Sequence, residues 1–260
     1  MKFLKYYSTQ ALEEGFIPKA DSYSKIFYRT DDWQKYKLFK GHISGDLTNQ
    51  QRQRYDRHAN EISKLLEGST KVISLGGGTG ALEKRLIKMR PSLHFTVSDI
   101  YERDPTKNID FVILDMTDLR ALANQLDSFD TVLIANALSP LEPVELSNLF
   151  NVISKSKVQD IIIYSAEDIR LINYLIGILK IGINFFLRRR TMWIGYLYSS
   201  FHIKEILRQN KFTRQHFEYS REYGFYSKLR GSSYLAKFTK ISGDKDKKSS
   251  IKIEAQNLKM

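Results

Sequence analysis

From residue 71 to residue 165, short strand-like runs alternate with segments of helical periodicity, and that alternation limits the fold more than any other feature of the chain. The runs fall at 72–75, 94–98, 111–114, 131–135 and 161–164, each too short for a helix. Helical patterns fill the intervals at 81–89, 119–126 and 142–154. The first of these carries Leu82, Leu86 and Met89 on one side and is stopped by Pro91. Strands and helices in this rhythm predict a mostly parallel sheet covered on both faces. Right-handed crossovers then place every strand's C-terminal end, and with them the ligand crevice, along one edge.

A helix at 200–209 and strands at 212–219 and 233–238 extend this α/β domain, which is expected to span 70–241 with an apolar insertion at 169–198. Ahead of it, Leu4, Tyr7, Ala11, Leu12 and Phe16 recur near helical spacing. Tyr55, Ala59, Ile62, Leu65 and Leu66 then line one side of a second helix, over 49–67, that Gly68 ends. Residues 1–69 therefore read as an N-terminal helical cap, although the Tyr/Phe/Trp-rich stretch at 23–39 has no periodicity that assigns it. The Lys/Asp/Ser-rich residues 242–260 are expected to be disordered.

Strand 72–75 runs straight into Gly76-Gly77-Gly78-Thr79-Gly80, and a helix opens directly after it. Glycines let the backbone turn sharply and lie against a ligand with no Cβ between them. The following helix N-terminus offers free N–H groups and a positive dipole end to a carboxylate or phosphate. Gly76, Gly78 and Ala81 also satisfy the dinucleotide fingerprint, so a nicotinamide site stays open at this point, as does a plain glycine turn. Strand 94–98 ends in Asp99, 21 residues after Gly78, where a carboxylate can accept both ribose hydroxyls of an adenosine. Strand 111–114 ends in Asp115-Met116, an acid for the adenine amino group and a side chain to pack on its ring. Strand 131–135 carries Asn136 at its tip.

In their order and spacing these motifs resemble the class I S-adenosylmethionine-dependent methyltransferases, over residues 71–240. Gly76, Gly78 and Gly80 match the family's first motif, an acid followed by x-Gly-x-Gly-x-Gly. Asp99-Ile100 matches the ribose-binding acid and its neighbour, Asp115-Met116 the acid near the adenine, and 129–138 the fourth motif. The resemblance implies a Rossmann-like, doubly wound sheet ending in an antiparallel strand pair, which nicotinamide enzymes normally lack. It also implies S-adenosylmethionine as cofactor, held by Gly76, Gly78, Gly80, Asp99, Ile100, Asp115, Met116 and Asn136. One position departs from the pattern: Ser74 stands where many members carry Asp or Glu facing the methionine end of the cofactor. The departure implies weaker binding or a partner for the ammonium elsewhere. Over a short stretch, from Trp193 through Tyr198 to 225–229, the chain is also similar to the C-terminal part of magnesium-protoporphyrin O-methyltransferases; no substrate is transferred from that likeness.

A sulfonium-bound methyl is already activated, so such a protein mainly aligns the acceptor and excludes water. A general base is optional. His202 and His58 are the candidates for one, each with a plain surface or capping role as the alternative. Tyr55 and Arg54 could cover the methionine end, or simply pack and face solvent. With no cysteine in the chain, disulfides, thiolate zinc sites and cysteine nucleophiles are excluded, and no His/Asp/Glu spacing suggests a metal.

The net charge of +12 is concentrated late in the chain, with 19 basic against 8 acidic residues from 161 onward. Anionic lipid and nucleic acid would both be attracted by it. Residues 171–187 are almost wholly apolar apart from a narrow stripe of Asn173, Gly177, Lys180 and Asn184, and Arg188-Arg189-Arg190 follows. A bilayer crossing needs about 20 apolar residues. The segment instead fits a helix lying in an anionic membrane interface, or a lid or core helix beside the site. Both uses point to an apolar acceptor. The first residues lack the apolar core of a signal peptide, so a cytoplasmic location is expected, with the inner face of a membrane as the surface in reach. The sequence thus predicts methyl transfer to a small, largely apolar molecule. An RNA or protein methyltransferase and a non-catalytic interaction protein on the same fold are the rivals; the oligomeric state is left open.

Overall fold

Seven strands form one sheet in the order β4-β3-β2-β5-β6-β9-β8. In the computed structural model, which describes residues 3–7, 49–100, 109–165, 192–219 and 234–241, they are β2 (Lys71–Leu75), β3 (His94–Asp99), β4 (Ile109–Ile113), β5 (Thr131–Ala135), β6 (Asp160–Ser165), β8 (Phe212–Tyr219) and β9 (Tyr234–Lys240). The first five are mutually parallel, β9 is antiparallel to β6, and β8 is antiparallel to β9. The chain winds outward from β2 to β4, then restarts on the other side at β5. The strand order therefore reverses between β2 and β5, where open α/β sheets carry their crevice.

Alternation along the strands divides the core in two. Ile73, Val132, Ile134, Ile161 and Ile163 point to one face, with Leu122 and Leu126 of α3 (Leu119–Leu126), Leu146, Leu149 and Phe150 of α4 (Pro143–Lys155) and Ile203 and Leu207 of α5 (Ser200–Gln209). Val72, Leu133, Ile162 and Tyr164 point to the other face. There they meet Ala59 and Ile62 of α1 (Asn49–Leu65) and Leu82 and Leu86 of α2 (Ala81–Met89). Strands buried on both sides read as continuous apolar runs, which is why β2, β5 and β6 are so legible.

Local chemistry fixes the helix starts. Asp118 accepts from the Ala121 N–H at 3.0 Å to open α3, and Ser199 accepts from the His202 N–H at 3.1 Å to open α5. Glu142, Pro143 and Glu145 make a capping box at α4, with the Glu142 N–H donating to Glu145 Oε2 at 2.8 Å.

The N-terminal segment departs from the helical reading. Phe3–Tyr7 is a strand, β1, paired antiparallel with β7 (Met192–Leu197) in a separate two-stranded sheet. Its pairing partner lies far along the chain, where local periodicity carries no signal, and Phe3-Leu4-Lys5-Tyr6-Tyr7 is rich in aromatics that favour strands. The last residues assigned to the apolar insertion are likewise strand, in β7. The apolar run 171–187, Arg188–Arg190 and the tail 242–260 lie outside the described residues. Among the described residues no helix is long and apolar enough to cross a membrane.

Candidate functional site

The turn after β2 is shaped by its glycines. Gly76 has φ of +68°, and a Cβ built on it would stand 2.7 Å from the Ala137 Cβ and 3.4 Å from the Met116 Cε. A side chain there would be both strained and crowded. Gly77 is close-packed for a different reason: its Cβ would lie 2.7 Å from Val97 Cγ1, 3.0 Å from Ser74 Oγ and 3.1 Å from Glu83 Oε1. Gly78 and Gly80 share the left-handed backbone, and Gly80 is the N-cap of α2 with no side chain closing it. The first N–H groups of α2 therefore lie open beside the turn.

The structure brings the predicted residues to this one edge. Asp99, at the end of β3, is nearly buried and accepts from the Gly78 N–H at 2.9 Å and from the Ile100 N–H at 2.8 Å. The turn is also held by the Gly77 N–H, which donates to the Ser98 carbonyl at 3.0 Å. Asp115 follows the end of β4, with Oδ1 accepting from the Thr117 N–H and hydroxyl at 2.9 and 2.8 Å. Met116 leans onto Gly76 from that loop. Asn136, exposed at the tip of β5, has φ of +57°, and its N–H donates to the Tyr164 carbonyl at 2.8 Å. Carboxylates from two neighbouring strand ends, an amide from a third and a glycine turn thus stand along the C-terminal edge of the sheet, with the glycine turn and Asn136 flanking the point where the strand order reverses.

The two histidines take different places. His58 on α1 is buried, not at the surface, and shares a 2.5 Å hydrogen bond with the Tyr164 hydroxyl at the C-terminal end of β6. Packing of α1 over one face of the sheet explains this: α1 lies on α2, β6 and β9. His202 sits in the first turn of α5, stacked on Tyr198 at 5.9 Å between ring centroids. Tyr198 in turn donates to the Leu141 carbonyl at 2.5 Å, tying α5 to the loop after β5. Burial lowers the His202 pKa below its usual value, which favours the neutral, proton-accepting ring. Tyr55 on α1 is half-buried, with the Arg85 guanidinium 5.5 Å above its ring; Arg85 itself is paired with Asp56 at 2.6 Å.

One residue of the site was not anticipated. Glu83, in the first turn of α2, is fully buried and accepts from the Ser74 hydroxyl at 2.5 Å. Its other oxygen, Oε2, is buried without a hydrogen-bond partner among the described residues. The available signal was an acid three residues into a helix that starts at a glycine turn, a position usually read as a helix-end charge.

No protein-family model matches the chain, and no curated protein sequence matches it. Solved structures do resemble it. A protein of Pyrococcus horikoshii OT3 superposes with a TM-score of 0.58 at 16% identity, covering 80% of this chain and 99% of that one. Magnesium protoporphyrin IX methyltransferase from Synechocystis PCC 6803, solved with S-adenosylhomocysteine, gives 0.56 at 14% identity, covering 84% and 97%. The 1,6-didemethyltoxoflavin-N1-methyltransferase of Burkholderia thailandensis, solved with its substrate and S-adenosylhomocysteine, gives 0.57 at 14%, covering 87% and 94%. The chain has the fold of the class I S-adenosylmethionine-dependent methyltransferases, including the closing antiparallel pair β8 and β9.

Proposed function

We propose that the chain is an S-adenosylmethionine-dependent methyltransferase acting on a small, largely apolar acceptor. The observation that carries the reading is the Asp99 carboxylate fastened to the glycine turn through the Gly78 N–H, at the reversal of strand order. The donor set suits an adenosyl ligand. A Cβ at Gly76 or Gly77 would fill the cradle; in this reading Asp99 and Ile100 would receive the ribose hydroxyls, and Asp115 and Met116 would meet the adenine. Asn136 and the open N–H groups of α2 would meet the amino-acid end. Bound S-adenosylmethionine supplies an activated methyl group; the chain's residues hold the cofactor, orient the acceptor and keep water out. His202 and His58 remain the candidates for accepting a proton, with His202 the more accessible of the two.

A small acceptor is favoured by the neighbours of known ligand, whose substrates are small molecules. An apolar one is favoured by the run 171–187, which would wall the acceptor side or lie on an anionic membrane beside Arg188–Arg190. Calorimetry with S-adenosylhomocysteine tests the reading. The parent should bind, and Asp99→Ala should weaken binding about tenfold to a hundredfold through loss of charge-assisted hydrogen bonds. Binding of NADH in its place, or unchanged affinity in the variant, would refute it.

A further inference from the structure

The buried carboxylate of Glu83 has no role in holding the fold together that its surroundings explain. A carboxylate moved from water into the interior carries a large desolvation cost unless its lone pairs are matched. Here the carboxyl takes the neutral Ser74 hydroxyl and the weak help of its own backbone N–H, and Oε2 is left without a partner among the described residues. The Arg85 cation, on the same helix, is engaged elsewhere. Arg85 is paired with Asp56 and donates to the Ala81 carbonyl, and its guanidinium lies over the Tyr55 ring. The groups that face the Glu83 carboxylate are Ser74 from β2 and Tyr55 from α1, whose phenol is pushed up by burial first and by the Glu83 charge second. Arg54 and Arg85 act on Tyr55 with the opposite sign, and Asp99 from β3 is bonded to the turn at the Gly78 N–H. Burial likewise pushes the Glu83 carboxyl up, against the lowering effect of the Ser74 hydroxyl and of its own backbone N–H.

The place of this charge matters. Oε1 lies where a Cβ on Gly77 would touch it at 3.1 Å, so the carboxylate sits directly beneath the glycine turn. Ser74, on the strand, occupies the position from which an acid would reach the same spot.

We infer that Glu83 supplies from α2 the negative charge that Ser74 cannot, and that this charge, acting through the Gly77 turn, holds the α-ammonium of the cofactor's amino-acid end. The inference rests on the methyltransferase reading. Helix and acid divide the work: the free N–H groups at the start of α2 draw the cofactor's carboxylate, while Glu83 draws its ammonium. In a site of low local dielectric, such a charge acts strongly without direct contact. Glu83 is thus a positioning residue, whose anion the cofactor's ammonium would stabilise.

The test uses the full chain and two probes, S-adenosylhomocysteine and 5′-methylthioadenosine, which shares the adenosyl group but lacks the amino acid. Glu83→Gln keeps shape and hydrogen bonding while removing the charge. It should weaken S-adenosylhomocysteine about tenfold to a hundredfold, the loss of one charge-assisted interaction, and leave 5′-methylthioadenosine within twofold. The ligand-free variant should melt at or above the parent's temperature, because a buried charge has gone. Equal weakening of both probes, or unchanged affinity for the first, overturns the inference. A parent that binds neither overturns the methyltransferase reading itself. A second pair removes any dependence on Glu83→Gln folding. With Glu83→Ala as background, Ser74→Asp should bind S-adenosylhomocysteine at least tenfold tighter than the uncharged Ser74→Asn, and equal affinities would also overturn the proposal.

Discussion

Replacing Gly76 by alanine isolates how tightly the turn is packed, because Gly68 provides a control with the same backbone strain and no neighbours. Both glycines have left-handed φ, +68° and +84°. An alanine at either carries about 1–2 kcal/mol of left-handed strain. At Gly68 nothing lies within 4 Å of the added methyl, so the cost stops there. At Gly76 the methyl meets the Ala137 Cβ at 2.7 Å, roughly 0.8 Å inside a comfortable carbon–carbon separation of about 3.5 Å. Ala137 is a short, buried side chain and cannot swing aside, so the backbone after β5 must shift. Overpacking of this kind costs about 1–3 kcal/mol more. Gly68→Ala should therefore lose about 1–2 kcal/mol and Gly76→Ala about 2–5 kcal/mol. In equilibrium urea unfolding, with m of about 2 kcal/mol/M, the Gly76→Ala midpoint should fall about 0.5–1.5 M below that of Gly68→Ala. Midpoints within about 0.2 M of one another would show that the turn does not rest on Ala137, and the cradle ascribed to the cofactor would lose its floor.

Two further outcomes concern the frame around the site. Asp130 Oδ2 accepts from the Thr70 N–H, the Thr70 hydroxyl and the Lys71 N–H at 2.8, 2.7 and 2.9 Å, fastening the start of β2 to that of β5; Asp130→Ala should cost about 1–3 kcal/mol at neutral pH. Burial by itself would raise the Asp130 carboxyl, but these bonds outweigh it and hold the group below its usual pKa. Its contribution is therefore present above the unfolded value near 3.9 and lost as pH falls through the lower folded value, so the gap between parent and variant should close in acid. Tyr164→Phe removes the hydroxyl bonded to His58 between β6 and α1. It should lower the melting temperature by about 2–4 °C for each kcal/mol lost, and an unchanged melt would show that the bond contributes nothing.

The parallel sheet was legible because it is buried on both faces: β2, β5 and β6 leave almost no polar residue to blur their runs, and α2, α3 and α5 coincide with their predicted bounds. The positions of Asp99, Asp115 and Asn136 were legible for a topological reason, since a parallel sheet brings all strand ends to one edge whatever lies between them. Long-range pairing was not legible. The register of β1 against β7 joins Phe3 to Leu197, and no local period in Phe3–Tyr7 encodes a partner so distant. Nor was the burial of His58, which depends on how α1 is laid across β6 rather than on its own sequence.

Glu83 marks the limit in another way. Read along the chain, Ser74 looks like a missing acid and Glu83 like a charge at a helix start. Only the fold puts Ser74 Oγ and Glu83 Oε1 2.5 Å apart beneath one glycine. A motif written as residue types at fixed spacing assumes that a function stays on the element where it is usually found. The physical requirement is weaker: a negative charge at one point in space, which the strand or the helix packed against it can equally supply. Helix α2 begins at the turn itself, so its third residue is within reach of that point as surely as the strand residue two before the first glycine. On the proposed role of Glu83, the serine at position 74 is therefore no argument against a cofactor site in this chain.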